Sequence, residues 1–397
     1  MIAPKSCSLY LHIPFCRAKC DYCDFYSIPV HRIGRIGRIG RLHRIDGTAR
    51  KSGWEREAGG YIETLLRAVE DLRARRAPLA SVPSLYIGGG TPSLLGARGA
   101  AALLDGLAPI LAAGTPAIAP EITVEANTDS AEEDFLAACR LRGVTRLSLG
   151  VQSFDALCRA GAGRRGTTEG LDRAARFWTE SGGSLSLDLM TGLPAQTEDV
   201  VRRDAGKALA LGASHISLYA LTVEADTPLA RRAETLPESE AAERLWFAGR
   251  SALIAAGLHQ YEVSNFARSA ADYCRHNIRY WRMENWLGAG PSASGTLIDD
   301  DTGTGLRLYY PDDLGVFLRG PVPLAEELDR LTLIKETLLM GYRYAEGPDE
   351  ALFFRRFGKR LGETIPRTLA QWPDRGQRML FLNRFLLDAF AELETDE

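Results

Sequence analysis

Short apolar runs alternate with amphipathic segments from about Leu9 to Phe266, and this alternation constrains the fold of the 397-residue chain more than any other feature. The apolar runs predict strands at 8–13, 85–88, 122–126, 146–152, 185–190, 215–221 and 260–265. Between them, apolar residues recur every three or four positions, which predicts helices at 61–75, 131–141, 168–180, 198–211 and 240–256. Such alternation predicts a parallel sheet of right-handed βαβ units. Six or more short βα units suit an α/β fold with a full or partial β/α (TIM-like) barrel. An open doubly wound sheet is the alternative.

After about Pro311 the alternation stops and helical patterns follow. Helices are predicted at 325–340, 352–360 and 379–393, with no strands of the earlier kind. We therefore expect one β/α domain over residues 1–300 and a smaller, mostly helical C-terminal accessory domain over residues 310–397.

A basic segment at 31–51, HRIGRIGRIGRLHRIDGTARK, interrupts the predicted domain. An Arg-Ile-Gly triplet repeats three times in it, without the proline content of collagen. We favour a flexible, exposed insert. The alternative is a basic lid that meets an anionic ligand or lipid headgroups, so transient association with a membrane stays open.

The bulk composition excludes several classes of protein. The net charge of −3 provides no general attraction for nucleic acid. No apolar run reaches the roughly 18 residues of a transmembrane helix, and the N-terminus lacks a signal-peptide pattern. These features predict a cytoplasmic protein that does not bind nucleic acid.

Three of the seven cysteines fall within eight residues, as Cys16-x3-Cys20-x2-Cys23 directly after the first predicted strand. Structural zinc sites use four ligands, usually as two separated pairs, and no second pair is present in the sequence. A [4Fe–4S] cluster normally takes four thiolates. Three thiolates would leave one iron open, as radical S-adenosylmethionine (SAM) chemistry requires. A partial zinc knuckle or chance clustering is the alternative.

A series of motifs accompanies the cysteines in a fixed order over most of residues 8–295. They are SLYLHIPFCRAKCDYCDFYS, YIGGGTPSLL, ITVEANTDS, RLSLGVQSFD, LDLMTGLPAQT, HISLYALTVEADTPL, YEVSNFAR and CRHNIRYWRMENWLGAGPSASG, with KETLLMGYR and RRFGKRL as a weaker C-terminal match. Together they resemble the HemN/HemW group of the radical SAM family. This group contains oxygen-independent coproporphyrinogen III oxidases and heme chaperones.

The resemblance implies a [4Fe–4S] cluster on the three cysteines and a SAM site built from neighbouring strand ends. The SAM contacts that it implies are Tyr10, Gly89, Gly90, Thr91, Glu125, Gln152, Arg164 and Asp188. The residue types suit this role, because glycines let a backbone approach a ligand and carboxylates or amides can bond a ribose or an ammonium. Taken singly, each could equally be an ordinary core or rim residue. Arg164 is implied as the partner of the SAM carboxylate, although Arg165 is adjacent.

Two features separate the two functions that the resemblance offers. Phe25 stands where the oxidases carry a fourth cysteine, and the chaperones have phenylalanine there. The HNIRYW element, with His276 and Tyr280, matches the chaperone branch and is implicated in heme binding. The alternative for His276 is a hydrogen-bonded core histidine. We therefore expect a heme chaperone whose partners are heme and heme-accepting proteins, with the coproporphyrinogen III oxidase as the alternative. Whether the chain is an enzyme stays open.

Overall fold

A twelve-stranded sheet organises the chain in the computed structural model, which describes residues 6–33, 53–75, 81–112 and 119–395. The structure contains the following strands: β1 Ser8–Ile13, β2 Phe15–Cys16, β3 Ile28–Pro29, β4 Ser84–Gly89, β5 Glu121–Asn127, β6 Arg146–Gln152, β7 Ser184–Thr191, β8 His215–Ala220, β9 His259–Gln260, β10 Asn265–Ala267, β11 Trp286–Ala289, β12 Ser294–Asp299, β13 Thr304–Tyr309 and β14 Leu324–Leu328. The predicted insert at 31–51 lies outside the described residues, except for 31–33.

The centre of the sheet is parallel and its two edges are antiparallel. Its strand order is β14-β13-β12-β11-β1-β4-β5-β6-β7-β8-β10-β9, while β2 and β3 form a separate parallel pair. The seven strands from β11 to β8 run parallel. Short antiparallel strands extend each edge. Within the described ranges no pairing joins β9 to β14, so the predicted barrel is a partial one with an open side.

Helices cover the sheet and form most of the C-terminal part. They are α1 Val30–Ile33, α2 Gly53–Arg75, α3 Gly96–Leu111, α4 Glu133–Leu141, α5 Ala156–Gly161, α6 Leu171–Glu180, α7 Glu198–Ala210, α8 Ser239–Ala255, α9 Arg275–Trp281, α10 Leu314–Arg319, α11 Arg330–Gly341, α12 Glu350–Phe357, α13 Leu361–Thr364, α14 Pro366–Gln371, α15 Arg375–Leu380 and α16 Leu382–Thr395. Short 3₁₀ helices lie at Pro92–Leu95, Ala230–Thr235 and Ala270–Asp272.

Helix α3 is absent from the sequence predictions. By length and hydropathy alone, one described helical stretch, Pro92–Leu111, could cross a membrane. Its Leu103, Leu104 and Leu107 are buried in the main core, however, so the stretch packs as a core helix.

The predicted strand at 260–265 is wrong. The segment is a hairpin between β9 and β10, and its turn is organised by Glu262, whose side chain is fully buried. The carboxylate of Glu262 accepts hydrogen bonds from the Ser264 N–H (2.8 Å) and from Asn265 Nδ2 (2.6 Å). It also pairs with Arg343 at 2.7 Å. These bonds to nearby donors favour a turn over a continuous strand.

The predicted helix at 325–340 is wrong in its first turn, where an exposed strand lies, unlike the buried parallel strands of the earlier part. Strand β14 lies there and pairs with β13, placing Ala325 opposite Leu308. The helix begins only at Arg330, because Asp329 caps it by accepting from the Thr332 N–H at 2.8 Å. Helices α11 to α14 and α16 then pack around a second core that includes Phe353 and Phe385.

Candidate functional site

A cavity of about 940 Å³ opens at the carboxyl ends of the central parallel strands. This is the edge at which β/α folds place their binding sites. Of the residues predicted for the site, twelve line the cavity: Tyr10, Cys16, Cys20, Cys23, Gly89, Gly90, Glu125, Gln152, Arg164, Asp188, His276 and Tyr280. The remaining one, Thr91, lies behind the cysteines, with its hydroxyl 3.5 Å from Cys16 Sγ. The structure therefore brings the predicted residues together.

The three cysteines form one wall of this cavity. Cys16 ends β2, and the Cys23 N–H donates to the Cys20 carbonyl at 3.2 Å, which closes the loop between them. Burial raises the pKa of the Cys16 thiol and raises the pKa of Cys23 to about 11. The described residues contain no cluster of ligands drawn close enough to hold a single metal ion. A donor set of thiols suits iron–sulfur chemistry, in which each thiolate binds a different iron atom.

Two partly buried carboxylates, Glu125 and Asp188, line the same cavity as the cysteines. Glu125 accepts hydrogen bonds from the Tyr86 hydroxyl (2.7 Å) and from the Gly89 N–H (3.1 Å). Asp188 accepts from the Ser148 hydroxyl at 3.2 Å. Burial raises the pKa of Glu125 to about 7, and the nearby charge of Asp188 adds to this shift. Burial likewise raises the pKa of Asp188 to about 6. A cationic ligand in the cavity would lower the pKa of both carboxyl groups toward their usual range.

Gln152 presents an unused acceptor to the cavity. Its backbone is left-handed, with φ of 69°, which is uncommon for a residue other than glycine. Its Oε1 atom is buried and has no hydrogen-bond partner. A buried acceptor of this kind costs stability unless a donor reaches it. The residues therefore fit SAM, because its ammonium and ribose hydroxyls are donors and its sulfonium is a cation.

Gly89 and Gly90 allow close packing between two segments of the protein. A Cβ on Gly90 would lie 2.6 Å from the Phe15 carbonyl oxygen, and a Cβ on Gly89 would lie 2.7 Å from the His12 ring. Gly89 also has φ of +110°. The Gly90 N–H donates to the Ile13 carbonyl at 2.8 Å. The missing side chains thus allow the segment that leads to the cysteines to lie against the end of β4.

Arg164 contacts the cysteine loop directly. Its Nη1 atom lies 3.5 Å from Cys20 Sγ and 3.3 Å from the Tyr22 hydroxyl. Its Nη2 atom donates to Asn127 Oδ1 at 2.8 Å and to the Gly150 carbonyl. Both terminal nitrogens are therefore engaged by the protein.

His276 and Tyr280 lie on α9 and contact each other. The Nε2 atom of His276 lies 2.8 Å from the Tyr280 hydroxyl, and its Nδ1 atom lies 2.9 Å from the Ser84 hydroxyl. Burial lowers the pKa of His276 to about 3, so the ring is neutral. A neutral imidazole is the form that ligates metals. An iron atom at Nε2 would have to displace the hydroxyl of Tyr280.

Several cavity residues were missed by the sequence predictions. His12 joins the Tyr10 hydroxyl (3.0 Å) to the Tyr26 carbonyl (2.8 Å), and Tyr86 binds Glu125 as described above. A sequence signal existed for His12, because Tyr10 and His12 are two residues apart on one strand and therefore share a face.

The charges around the cavity are mostly negative. The acidic residues that line it are Asp24, Glu125, Asp188, Glu224 and Asp312, whereas the cationic ones are Lys19 and Arg164. Since Arg164 is engaged by the protein, Lys19 is the cation that remains available among the described residues of the lining.

Comparisons with known proteins give a consistent family. The Radical SAM superfamily model matches residues 10–207. The chain is 35% identical over 302 residues to the heme chaperone HemW of Escherichia coli, covering 76% of this chain and 73% of that protein. It is 32% identical over 401 residues to the heme chaperone HemW of Mycobacterium tuberculosis, covering 98% and 94%. Among solved structures, coproporphyrinogen III oxidase (HemN) from Escherichia coli, described as a radical SAM enzyme, has a TM-score of 0.75 at 20% identity over 97% of this chain and 90% of that one. At this identity the last match demonstrates a shared fold.

Proposed function

Because this chain belongs to the radical SAM superfamily and, within it, to the HemN/HemW group, we propose that it is a heme chaperone that holds a [4Fe–4S] cluster and SAM. In this proposal the protein binds heme and passes it to acceptor proteins. The relatives named heme chaperone HemW support this choice. The free cysteines suit a reducing compartment, and we propose the cytoplasm.

The charge of the cavity is the observation that carries the choice of chaperone over oxidase. Coproporphyrinogen III carries twice as many propionates as heme, and each propionate inside the cavity would need a cation or several N–H donors. Apart from the two carboxylates proposed to hold SAM and the engaged Arg164, the lining offers Asp24, Glu224 and Asp312 against Lys19. A heme can enter with its propionates directed to solvent, whereas the porphyrinogen must bring a propionate to the reacting centre. The cavity volume lies at the upper end of the range for ligand sites, as a large ligand requires.

Phe25 gives further support. Its side chain lines the cavity and is 70% exposed, so it places an aromatic ring at the rim where the oxidases carry a thiol. An exposed aromatic ring is a suitable contact for the flat face of a porphyrin.

The chain's own residues would hold the cofactors as follows. Cys16, Cys20 and Cys23 would bind the cluster, and Glu125 with Asp188 would accept hydrogen bonds from SAM and balance its positive charge. When bound together, cluster and SAM supply radical chemistry, which the protein directs by placement. Either His276 or Tyr280 would bind the heme iron, because both side chains line the cavity.

The test of the proposal is an anaerobic comparison of heme binding with coproporphyrinogen III turnover. The reconstituted protein should bind heme with a shifted Soret band, should pass heme to an apo-acceptor, and should not decarboxylate the porphyrinogen over many turnovers. If decarboxylated product accumulates, the protein is an oxidase and the proposed chaperone function is wrong. If the protein neither binds heme nor turns over the porphyrinogen, it shares the fold of these relatives without either function.

The ligand to heme iron can be assigned with two variants and one control. His276→Ala should alter or abolish the Soret shift. Tyr280→Phe removes the hydroxyl that occupies His276 Nε2, so heme binding should persist or tighten if the histidine is the ligand. Loss of binding in Tyr280→Phe would assign the tyrosine instead. His259→Ala, which changes an exposed histidine, is the control and should bind heme normally.

A further inference from the structure

The three cysteines of the loop differ in what their sulfur atoms contact. Cys16 Sγ faces a neutral hydroxyl, that of Thr91, at 3.5 Å. Cys23 is approached by a backbone N–H, that of Phe25. Cys20 Sγ faces a guanidinium, with Arg164 Nη1 at 3.5 Å, and is also hydrogen-bonded with the Tyr22 hydroxyl. A charged donor therefore reaches only Cys20 among these contacts.

The position of Arg164 is fixed from several sides. Asn127, at the end of β5, accepts from Nη2 at 2.8 Å, and the Gly150 carbonyl of β6 accepts from the same nitrogen. Asn127 is held in turn by its own bond to the Thr91 hydroxyl at 3.0 Å. The guanidinium is thus tied to two central strands and directed at the sulfur of Cys20.

We propose that Arg164 is a positioning residue that donates a charge-assisted hydrogen bond to the Cys20 thiolate and thereby raises the reduction potential of the cluster. Reduction adds negative charge to the cluster and its thiolates. A fixed cation and an N–H donor at one sulfur stabilise that charge, so the reduced state is favoured. Groups around the ligands of a metal centre commonly set its potential in this way. The inference rests on the cluster of the proposed function, but it does not depend on heme binding.

This role differs from the one that the family resemblance implies for Arg164, which is a bond to the carboxylate of SAM. Both terminal nitrogens of Arg164 already bind protein atoms. A SAM carboxylate would have to bind the remaining Nε–H or displace one of these partners. The two roles predict different results when SAM is absent, because only the bond to Cys20 acts on the cluster before SAM binds.

The test is an anaerobic redox titration of the reconstituted full-length chain without SAM, followed by the electron paramagnetic resonance signal of the reduced cluster. Arg164→Gln should lower the potential, with the ratio of reduced to oxidised cluster at a fixed potential falling about tenfold, which is about 59 mV for one electron. Arg164→Lys keeps the positive charge and should restore part of the loss. Arg165→Gln, at an exposed neighbouring position, makes the same change of charge and should leave the potential unchanged.

A second site keeps the inference testable if Arg164→Gln does not fold. Tyr22→Phe removes the hydroxyl that is hydrogen-bonded with Cys20, and it should also lower the potential while the iron content stays full. Potentials equal to wild type in both Arg164→Gln and Tyr22→Phe, at full iron content, would overturn the inference and leave the heme chaperone intact. So would an Arg164→Gln variant that loses SAM affinity in calorimetry but keeps the wild-type potential. Failure of the wild type to bind heme would instead overturn the proposed function alone.

Discussion

Replacing Glu121 with alanine is expected to cost about 3–5 kcal/mol of unfolding free energy, the typical loss when one partner of a buried ion pair is removed. Glu121 and Arg146 are 4% and 3% exposed, and Arg146 Nε lies 3.5 Å from Glu121 Oε2. Without the carboxylate, Arg146 would keep its charge in the core. Its Nη1 atom has no hydrogen-bond partner and its Nε atom is served by the ion pair with Glu121, whereas Nη2 donates to the carbonyls of Asp272 and Tyr273.

The same carboxylate holds the start of helix α9. It accepts from the His276 N–H at 3.0 Å and from the Arg275 N–H at 3.2 Å, at the helix end where carboxylates are favoured. The loss of these bonds is part of the cost given above and is not added to it. Because His276 follows directly, the substitution should also weaken heme binding in the proposed function.

The measurement is urea unfolding followed by far-ultraviolet circular dichroism. Glu198→Ala is the matched control, since it removes a carboxylate from an exposed pair with Arg202 at 2.6 Å, which should cost under about 0.5 kcal/mol. The double variant Glu121→Ala/Arg146→Met should recover part of the loss, because it removes the uncompensated charge. A Glu121→Ala loss below about 1 kcal/mol, or one equal to the control, would refute the reasoning.

Three further predictions concern the cavity. SAM affinity should rise with pH through about 6 and about 7, because the carboxyl groups of Asp188 and Glu125 ionise there and attract the cationic ligand; calorimetry that finds a flat profile would contradict this. Gly90→Ala should reduce iron incorporation, because its Cβ would meet the Phe15 carbonyl at 2.6 Å, whereas Gly59→Ala, with nothing within 4 Å, should leave iron content normal. Cys20→Ala should lose the broad iron–sulfur absorption, and a variant with full iron and sulfide would refute its role as a ligand.

The regular part of the fold could be predicted from the sequence because it follows local patterns. The bounds of β1 and β6 agree with the predictions, since each has aliphatic residues at every second position and is buried at all but one residue. Helix α3 was missed because GARGAAALLDGLAPIL contains three glycines and an internal proline, and both residue types disfavour a helix. The 260–265 hairpin depends on Glu262 and on its distant partner Arg343, and a local pattern does not contain such a contact.

The candidate site could also be predicted only in part from the sequence. The family resemblance supplied the residues of the site, and their side chains meet because the carboxyl ends of parallel strands share one edge. Their hydrogen bonds could not be predicted. The bond of Arg164 to Cys20 joins residues 144 positions apart, and that of His276 to Ser84 joins residues 192 positions apart. Only the assembled fold determines that both side chains are engaged.

The open side of the sheet has a mechanical consequence for the cavity. In a closed barrel, strand number and stagger fix the diameter of the mouth. Here the edge strands β9 and β14 do not pair with each other within the described residues, so ladder hydrogen bonds do not set the width of the opening. The two antiparallel edges are instead joined through the C-terminal part, where Tyr344 bridges Glu262 in the β9–β10 turn and Glu336 of α11 pairs with Arg307 of β13 at 2.6 Å. The side chains that join the C-terminal part to both edges therefore hold the opening in place, as a closed strand ladder does in a full barrel.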